Sequence, residues 1–90
     1  MLKAYILTEM QPGDYDKAIK EMKKIQNIRK ISIVAGEYDI IVRAEVDHIR
    51  ELLKLTNKLQ SIDGVNKTST QVIEKELIRS GLDKNISSKH

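Results

Sequence analysis

Residues 31–46 read ISIVAGEYDIIVRAEV, and this stretch decides the fold. Side chains on both sides of Gly36 alternate in polarity, and many of the apolar ones are β-branched, which is typical of strands. Gly36 can adopt a positive φ without a Cβ clash, so the sequence predicts a tight hairpin that turns at Gly36-Glu37. One face of the second strand is wholly apolar and comprises Tyr38, Ile40, Val42, Ala44 and Val46.

The opposite face of the hairpin mixes apolar and charged side chains. Val34 and Ile41 share it with Asp39, Arg43 and Glu45. A sheet face that is only half polar is expected to be covered, because exposed apolar patches of this kind usually mark an interface. We predict that a second copy of the same chain provides the cover.

Two further strands and two helices flank the hairpin. The pattern predicts a strand over residues 2–9, a helix that starts from a cap at Gly13 or Asp14 and ends near Asn27, a helix over residues 48–61 capped by Asp47, and a strand over residues 65–76. The predicted buried stripes are Tyr15, Ala18, Ile19, Met22 and Ile25 on the first helix, and Ile49, Leu52, Leu53, Thr56 and Leu59 on the second.

This order, β-α-β-β-α-β, predicts an α+β ferredoxin-like sandwich with a four-stranded antiparallel sheet and both helices on one face. We expect one domain over residues 1–76 and a polar C-terminal tail over residues 77–90, in which residues 77–82 could form a short helix. The helices leave the other sheet face bare. That face would use Tyr5, Leu7, Val34 and Ile41 as the interface of a face-to-face homodimer.

Composition narrows the function classes. The 90 residues contain no Cys, so no disulfide or thiolate metal site is expected, and no second ligand stands at metal-binding spacing from His48. We therefore predict no metal and no cofactor. Sixteen basic and thirteen acidic residues give a mixed surface with a net charge of +3. The one local excess (Lys17, Lys20, Lys23, Lys24, Arg29 and Lys30) is interpreted as a solvated helix face.

The sequence also indicates where the protein works. No run approaches the roughly 20 apolar residues that a membrane span requires, and no signal-peptide pattern precedes the first strand. A cytoplasmic location without membrane contact is therefore the expectation.

Several short motifs, taken together in their order and spacing, resemble a known family. AYIL at 4–7, PG at 12–13, GEYDIIV at 36–42, GV at 64–65 and TST at 68–70 resemble the ligand-sensing (RAM) domain of Lrp/AsnC-type transcription regulators. The resemblance covers residues 2 to about 75. It implies an α+β sandwich dimer, often assembled into an octameric ring of four dimers, and a small effector, usually an amino acid, bound where dimers meet.

The family's usual N-terminal helix-turn-helix has no counterpart in this sequence. We therefore expect a stand-alone form that does not bind DNA directly. Such a form could co-assemble with full-length Lrp/AsnC regulators and so modulate transcription indirectly.

The resemblance also assigns candidate ligand-binding residues. The family's Gly-x-x-Asp carries over to Gly36 and Asp39, its Thr-x-Thr to Thr68 and Thr70, and a contact from the loop before the first helix to Tyr15. An Asp39 carboxylate suits the ammonium of an amino acid, and hydroxyls or backbone N–H groups suit its carboxylate. Plainer interpretations stay open: Asp39 could pair with Arg43 or an edge lysine, and the two threonines could be ordinary strand residues.

Other function classes fit less well. Small dimeric α+β barrel enzymes of the monooxygenase type share this topology, but their sites tend to need aromatic or His residues in an internal pocket, and this core offers neither. No enzyme activity and no catalytic residue are predicted. RNA-binding domains with the same element order use paired strand aromatics, which the centre of the third strand lacks. A plain oligomerisation domain remains a third interpretation.

Overall fold

The computed structural model describes residues 1–13 and 15–79. Its elements are β1 (Leu2–Met10), α1 (Asp16–Lys23), β2 (Ile28–Ile33), β3 (Ile40–Val46), α2 (Ile49–Gln60) and β4 (Val65–Val72). The strands form one antiparallel sheet in the order β2-β3-β1-β4. This confirms the predicted ferredoxin-like sandwich. Residues 77–79 carry no regular secondary structure, and the rest of the suggested helix over 77–82 lies outside the described residues.

The core lies between one face of the sheet and the two helices. Ile6 is opposite Val42 in the register of β1 and β3, so the inward residues of both strands share this face. The fully or almost fully buried apolar side chains are Ala4, Ile6 and Met10 of β1, Ala18 and Met22 of α1, Ile25 between α1 and β2, the β3 residues Ile40, Val42, Ala44 and Val46, and Leu52, Leu55 and Leu59 of α2. The predicted apolar face of β3 is thus confirmed from Ile40 onward, and Tyr38 lies outside the strand.

The predicted tight turn at Gly36-Glu37 is wrong. β2 ends at Ile33 and β3 begins at Ile40, so six residues, 34–39, connect them. In the described chain, positive φ angles occur at Gly13 and Gly64 and not at Gly36. The end of the connection is drawn towards β1 instead, because the Asp39 N–H donates to the Thr8 carbonyl oxygen over 3.0 Å.

The starts and ends of the helices also differ from the prediction. α1 ends at Lys23, several residues before Asn27. His48, not Asp47, is the N-cap of α2, and no side chain caps this helix. β4 ends at Val72 rather than near residue 76. The Ile73 N–H still donates to the Lys3 carbonyl oxygen over 2.8 Å, but β1 begins at Leu2 and offers little further strand to pair with.

The buried stripe of α2 is shifted from the predicted one. Leu55 is 4% exposed, whereas Leu53 is 59% exposed and Ile49 is 55% exposed. Leu52, Leu55 and Leu59 follow the i, i+3, i+7 spacing that points at the sheet. The exposed pair lies on the flank of the helix beside Thr56, whose hydroxyl reaches Thr70 on the edge strand β4.

Candidate ligand-binding and assembly sites

Asp39 is fixed at one end of the sheet by the backbone of β1. Its Oδ2 accepts the Met10 N–H over 2.8 Å, and its own N–H donates to the Thr8 carbonyl oxygen. The proposed pairing with Arg43 does not occur, because Arg43 binds Glu45 and Glu76. Asp39 is therefore a half-buried carboxylate with a backbone partner, at the end of the 34–39 connection.

Tyr15 lies beside this carboxylate. It is the N-cap residue of α1, and its side chain lies close enough to Asp39 for that carboxylate to affect its pKa. Desolvation, followed by the negative charge of Asp39 and its capacity to accept a hydrogen bond, raises the pKa of the Tyr15 hydroxyl above its ordinary value. Tyr15 consequently stays protonated at neutral pH, so its hydroxyl is available as a donor beside Asp39. Of the predicted ligand residues, the structure thus joins Tyr15 and Asp39, with Gly36 on the same connection.

The hydroxyls of Thr68 and Thr70 point to α2. These residues lie opposite Thr8 and Ile6 on β1 and share the helix-facing side of the sheet. Thr68 Oγ1 donates to Gln60 Oε1 over 3.0 Å, and the Thr70 and Thr56 hydroxyls are 2.9 Å apart. A ligand that used either hydroxyl would have to compete with these bonds, so their role in binding stays a prediction.

Thr8 is a feature that sequence reasoning missed. It is fully buried, and in the described part of the chain its Oγ1 is the one buried side-chain polar atom without a hydrogen-bond partner. The signal was a hydroxyl at an inward position of β1, in line with Ala4, Ile6 and Met10. It lies directly beneath the connection that carries Asp39, since its carbonyl oxygen holds the Asp39 N–H.

We expect Thr8→Val to stabilise the domain by about 1 kcal/mol, because valine has nearly the same shape and removes an unpaired buried hydroxyl. Thr70→Val serves as the matched control: it removes a bonded hydroxyl from the same sheet face and should destabilise by about 0.5–1.5 kcal/mol. Urea unfolding of both variants measures the two changes. A destabilised Thr8→Val protein would mean that the hydroxyl has a partner in solution.

The sheet face away from the helices has an apolar half and a charged half. In the apolar half, Leu7 of β1 lies opposite Ile41 of β3, and Tyr5 is 39% exposed. Val34 lies two positions after Ser32, which is opposite Ile41 on the other side of β3. In the charged half Arg43 binds Glu45 over 2.8 Å and Glu76 over 3.3 Å, and Lys3 and Arg29 add longer ion pairs. We call this whole surface the open face.

The charged half makes the stability of the domain depend on pH. The hydrogen bond that Glu45 accepts from Arg43 outweighs the effect of desolvation and holds the pKa of the Glu45 carboxyl below its ordinary value. A carboxyl with a lowered folded-state pKa stabilises the fold fully above its unfolded pKa, about 4.3, and this contribution is lost as the pH falls through the folded value. Glu45→Gln should therefore flatten the acid limb of the stability curve below about pH 4.3, as measured by denaturation at a series of pH values. Glu37→Gln, in the 34–39 connection, should leave that limb unchanged; equal flattening by both would contradict the assignment.

The described residues contain no helix that is long and apolar enough to cross a membrane. No group of three or more His, Asp or Glu side chains among them could hold a metal ion.

The structure is thus a small α+β domain with two notable features. One is the half-apolar open face, and the other is the pair of Asp39 and Tyr15 at one end of the sheet. The sequence model described as the Lrp/AsnC ligand binding domain matches residues 3–82. The chain belongs to this family.

Individual relatives agree with this assignment. The HTH-type transcriptional regulator FL11 of Pyrococcus furiosus is 28% identical over 72 residues, which cover 80% of this chain and 48% of that protein. The crystal structure of FFRP-DM1 superposes with a TM-score of 0.75 at 27% identity, over 81% of this chain and 99% of that chain. The feast or famine regulatory protein of M. tuberculosis, complexed with L-methionine, has a TM-score of 0.76 at 21% identity, over 90% of this chain and 55% of that chain.

The matches cover most of this chain but only part of each longer relative. This chain spans about half the length of the curated regulators it matches. A homocitrate synthase of Sulfurisphaera tokodaii is also 23% identical over 77 residues, covering 84% of this chain, but the match covers only 17% of the enzyme. The likeness is thus to a ligand-binding domain that occurs in transcription regulators.

Proposed function

We propose that this chain is an effector-sensing and oligomerisation module that binds a small amino-acid-like ligand at a subunit interface and modulates transcription indirectly. The observation that carries the proposal is the Asp39 carboxylate, which is held by the Met10 N–H at the end of the sheet, beside the side chain of Tyr15. In a ligand-binding domain, such a preorganised anion is suited to the ammonium group of an amino acid. A distant relative of the same fold is complexed with L-methionine.

The position of Asp39 favours a site that a neighbouring subunit completes. Its carboxylate is half-buried at the sheet end, beside the exposed Gly36 of the 34–39 connection. One carboxylate oxygen accepts the Met10 N–H, and the carboxylate retains further lone pairs for an ammonium donor. The remaining walls of the site would come from a second subunit. The effector would then bind at the interface between subunits and could influence their assembly.

The open face supports the homo-oligomeric part of the proposal. Tyr5, Leu7, Val34 and Ile41 give it an apolar half, and an exposed patch of this kind usually marks an interface. Copies paired through this face would leave both helix layers outward. Higher assembly, up to an octamer, and co-assembly with full-length Lrp/AsnC regulators would then use other surfaces.

The experiment is thermal unfolding of the chain against each of the twenty amino acids at millimolar concentration. A ligand with about ten heavy atoms is expected to bind in the micromolar to millimolar range. At 100 times its dissociation constant it should add about 2.7 kcal/mol of stability, which is a readily visible shift. We expect one chemical class of amino acids to give this shift.

The decisive variant is Asp39→Asn, because asparagine can still accept the Met10 N–H but has no charge for an ammonium. We expect Asp39→Asn to abolish the shift while the domain stays folded. Glu37→Gln, which removes a charge from the same connection, should keep it. If no amino acid shifts the wild-type transition and the native mass is still dimeric or larger, the chain is a plain oligomerisation domain and the sensor proposal is wrong.

A further inference from the structure

The basic residues of this protein are concentrated on its two helices, although the net charge of the whole chain is small. α1 with its C-cap (residues 16–24) and α2 together carry seven basic and three acidic side chains, a net charge of +4. The whole chain has 16 basic and 13 acidic residues, so the rest of it carries nine against ten. The positive charge therefore lies on the two helices. We call their solvent-facing side the basic layer: Lys17, Lys20, Lys23, Lys24, Arg50, Lys54 and Lys58.

Most of these cations have no ion-pair partner in the part of the chain that the structure describes. Lys24 pairs with Glu21 over 3.3 Å, and the other six make no ion pair within residues 1–13 and 15–79. On the open face the situation is reversed, because Lys3, Arg29 and Arg43 are all paired with Glu45 or Glu76. The structure thus separates a neutralised charged surface from a positive one on the opposite side of the sheet.

The cations of the basic layer form rows. Arg50, Lys54 and Lys58 follow one another at i, i+4 and i+8, which is about 6 Å per step along a helix. A strand of duplex DNA carries one phosphate per about 3.4 Å of axis, so the row and the phosphates of a duplex have charge spacings of the same order. α1 adds a second row on the same side of the sheet, with Lys17, Lys20 and Lys24.

We infer that the basic layer binds the phosphate backbone of duplex nucleic acid without reading its sequence. Six of its seven cations are lysines, which act as point charges and do not offer the forked donors of arginine that recognise base edges. Neither helix contains an aromatic residue on which single-stranded bases could stack. An acidic protein partner is disfavoured, because protein interfaces are centred on aromatic or Arg anchors and are depleted in lysine.

This inference revises the expectation of no direct DNA binding, which followed from the missing helix-turn-helix. It does not depend on the effector site, because Asp39 and the basic layer share no residue. Copies paired through the open face would present two basic layers on opposite sides of the dimer. Repetition of one weak contact would then raise the overall affinity for a long duplex.

The test is fluorescence anisotropy of a labelled 24-base-pair duplex titrated with the full chain at 50–200 mM salt. Each phosphate contact contributes about −0.9 to the slope of log affinity against log salt. Lys20→Gln/Lys54→Gln, one substitution on each helix, should flatten the slope by about 2 per bound protomer and weaken binding at 50 mM salt. The control is Lys67→Gln/Lys75→Gln, two exposed lysines outside the helices that give the same net charge. It should bind like the wild type.

Three results would overturn the inference. Equal weakening by both double variants would show attraction by net charge alone. Binding of poly-glutamate as tight as that of the duplex would indicate an acidic protein partner. Absence of duplex binding at 50 mM salt would exclude the contact altogether, whereas tighter binding of the duplex than of a single strand of equal length supports it.

Discussion

Leu55→Ala is expected to lower the free energy of unfolding by about 2–5 kcal/mol, the usual loss when a buried leucine leaves a cavity. Leu55 is 4% exposed on the side of α2 that faces the sheet, packed in the same core as Leu52 and Leu59. In a domain of this size each kcal/mol corresponds to about 4–8 °C in melting temperature. The expected effect is therefore a fall in melting temperature of about 8 °C or more.

Leu53→Ala is the matched control, two residues away on the same helix. Leu53 is 59% exposed, so its truncation should change the free energy of unfolding by no more than about 0.5 kcal/mol. Urea denaturation of both variants measures the two values. A larger loss for Leu53 than for Leu55 would mean that α2 is rotated about its axis relative to the structure, or that Leu53 is buried by a second subunit.

Ile41→Lys is expected to disrupt the proposed face-to-face homodimer and to leave a folded monomer. Ile41 lies opposite Leu7 in the apolar half of the open face. If a second copy covers this face, the substitution places one new charge per subunit in a dry interface, which costs several kcal/mol per ion. In the isolated subunit the lysine stem can lie along the sheet while its ammonium reaches water, so folding is retained.

Sedimentation velocity together with circular dichroism measures this outcome. Leu53→Lys is the control, since it adds the same charge to an exposed apolar residue on the opposite side of the sheet, and it should leave the mass unchanged. An Ile41→Lys protein that remains dimeric would place the interface elsewhere. Loss of the dimer in the Leu53→Lys protein alone would move it to the flank of α2.

The sequence was sufficient to predict the architecture, because the spacing of apolar residues within each segment indicates whether it is a helix or a strand. The period of two over residues 40–46 gives the inward face of β3, and the same period over residues 2–9 separates Ala4 and Ile6 from Tyr5 and Leu7. The pattern of α1 gave its buried Ala18 and Met22 correctly. These signals are local because each of them is the spacing of apolar side chains within a single helix or strand.

The details that failed depend on contacts between residues far apart in the chain. Asp39, at the end of the 34–39 connection, is hydrogen-bonded to Thr8 and Met10, about 30 residues earlier, and such contacts are not visible in the local pattern. On α2, Ile49, Leu52, Leu53 and Leu55 are all apolar, so several stripes were compatible with the sequence. The position of the edge strand β4 decided which leucine is buried. The unpaired hydroxyl of Thr8 is likewise visible only once its neighbours are in place.

The same reasoning applies to the candidate site. Tyr15 and Asp39 are 24 positions apart, and only the fold brings the hydroxyl to the carboxylate. Thr68 and Thr70, assigned by resemblance, are bonded to Gln60 and Thr56 of α2 in the structure. The charge separation behind the basic layer also depends on knowing which side of the sheet the helices cover.

The central claim is that effector binding and assembly are coupled. The most direct measurement is sedimentation velocity across a range of protein concentrations, with and without the amino acid that gives the largest thermal shift. A ligand can shift an assembly equilibrium only by binding one state better than another, and the coupling is reciprocal. We expect the effector to redistribute mass between assembly states and its apparent affinity to change with protein concentration. Saturable binding in calorimetry, with an unchanged mass distribution at every concentration, would contradict it.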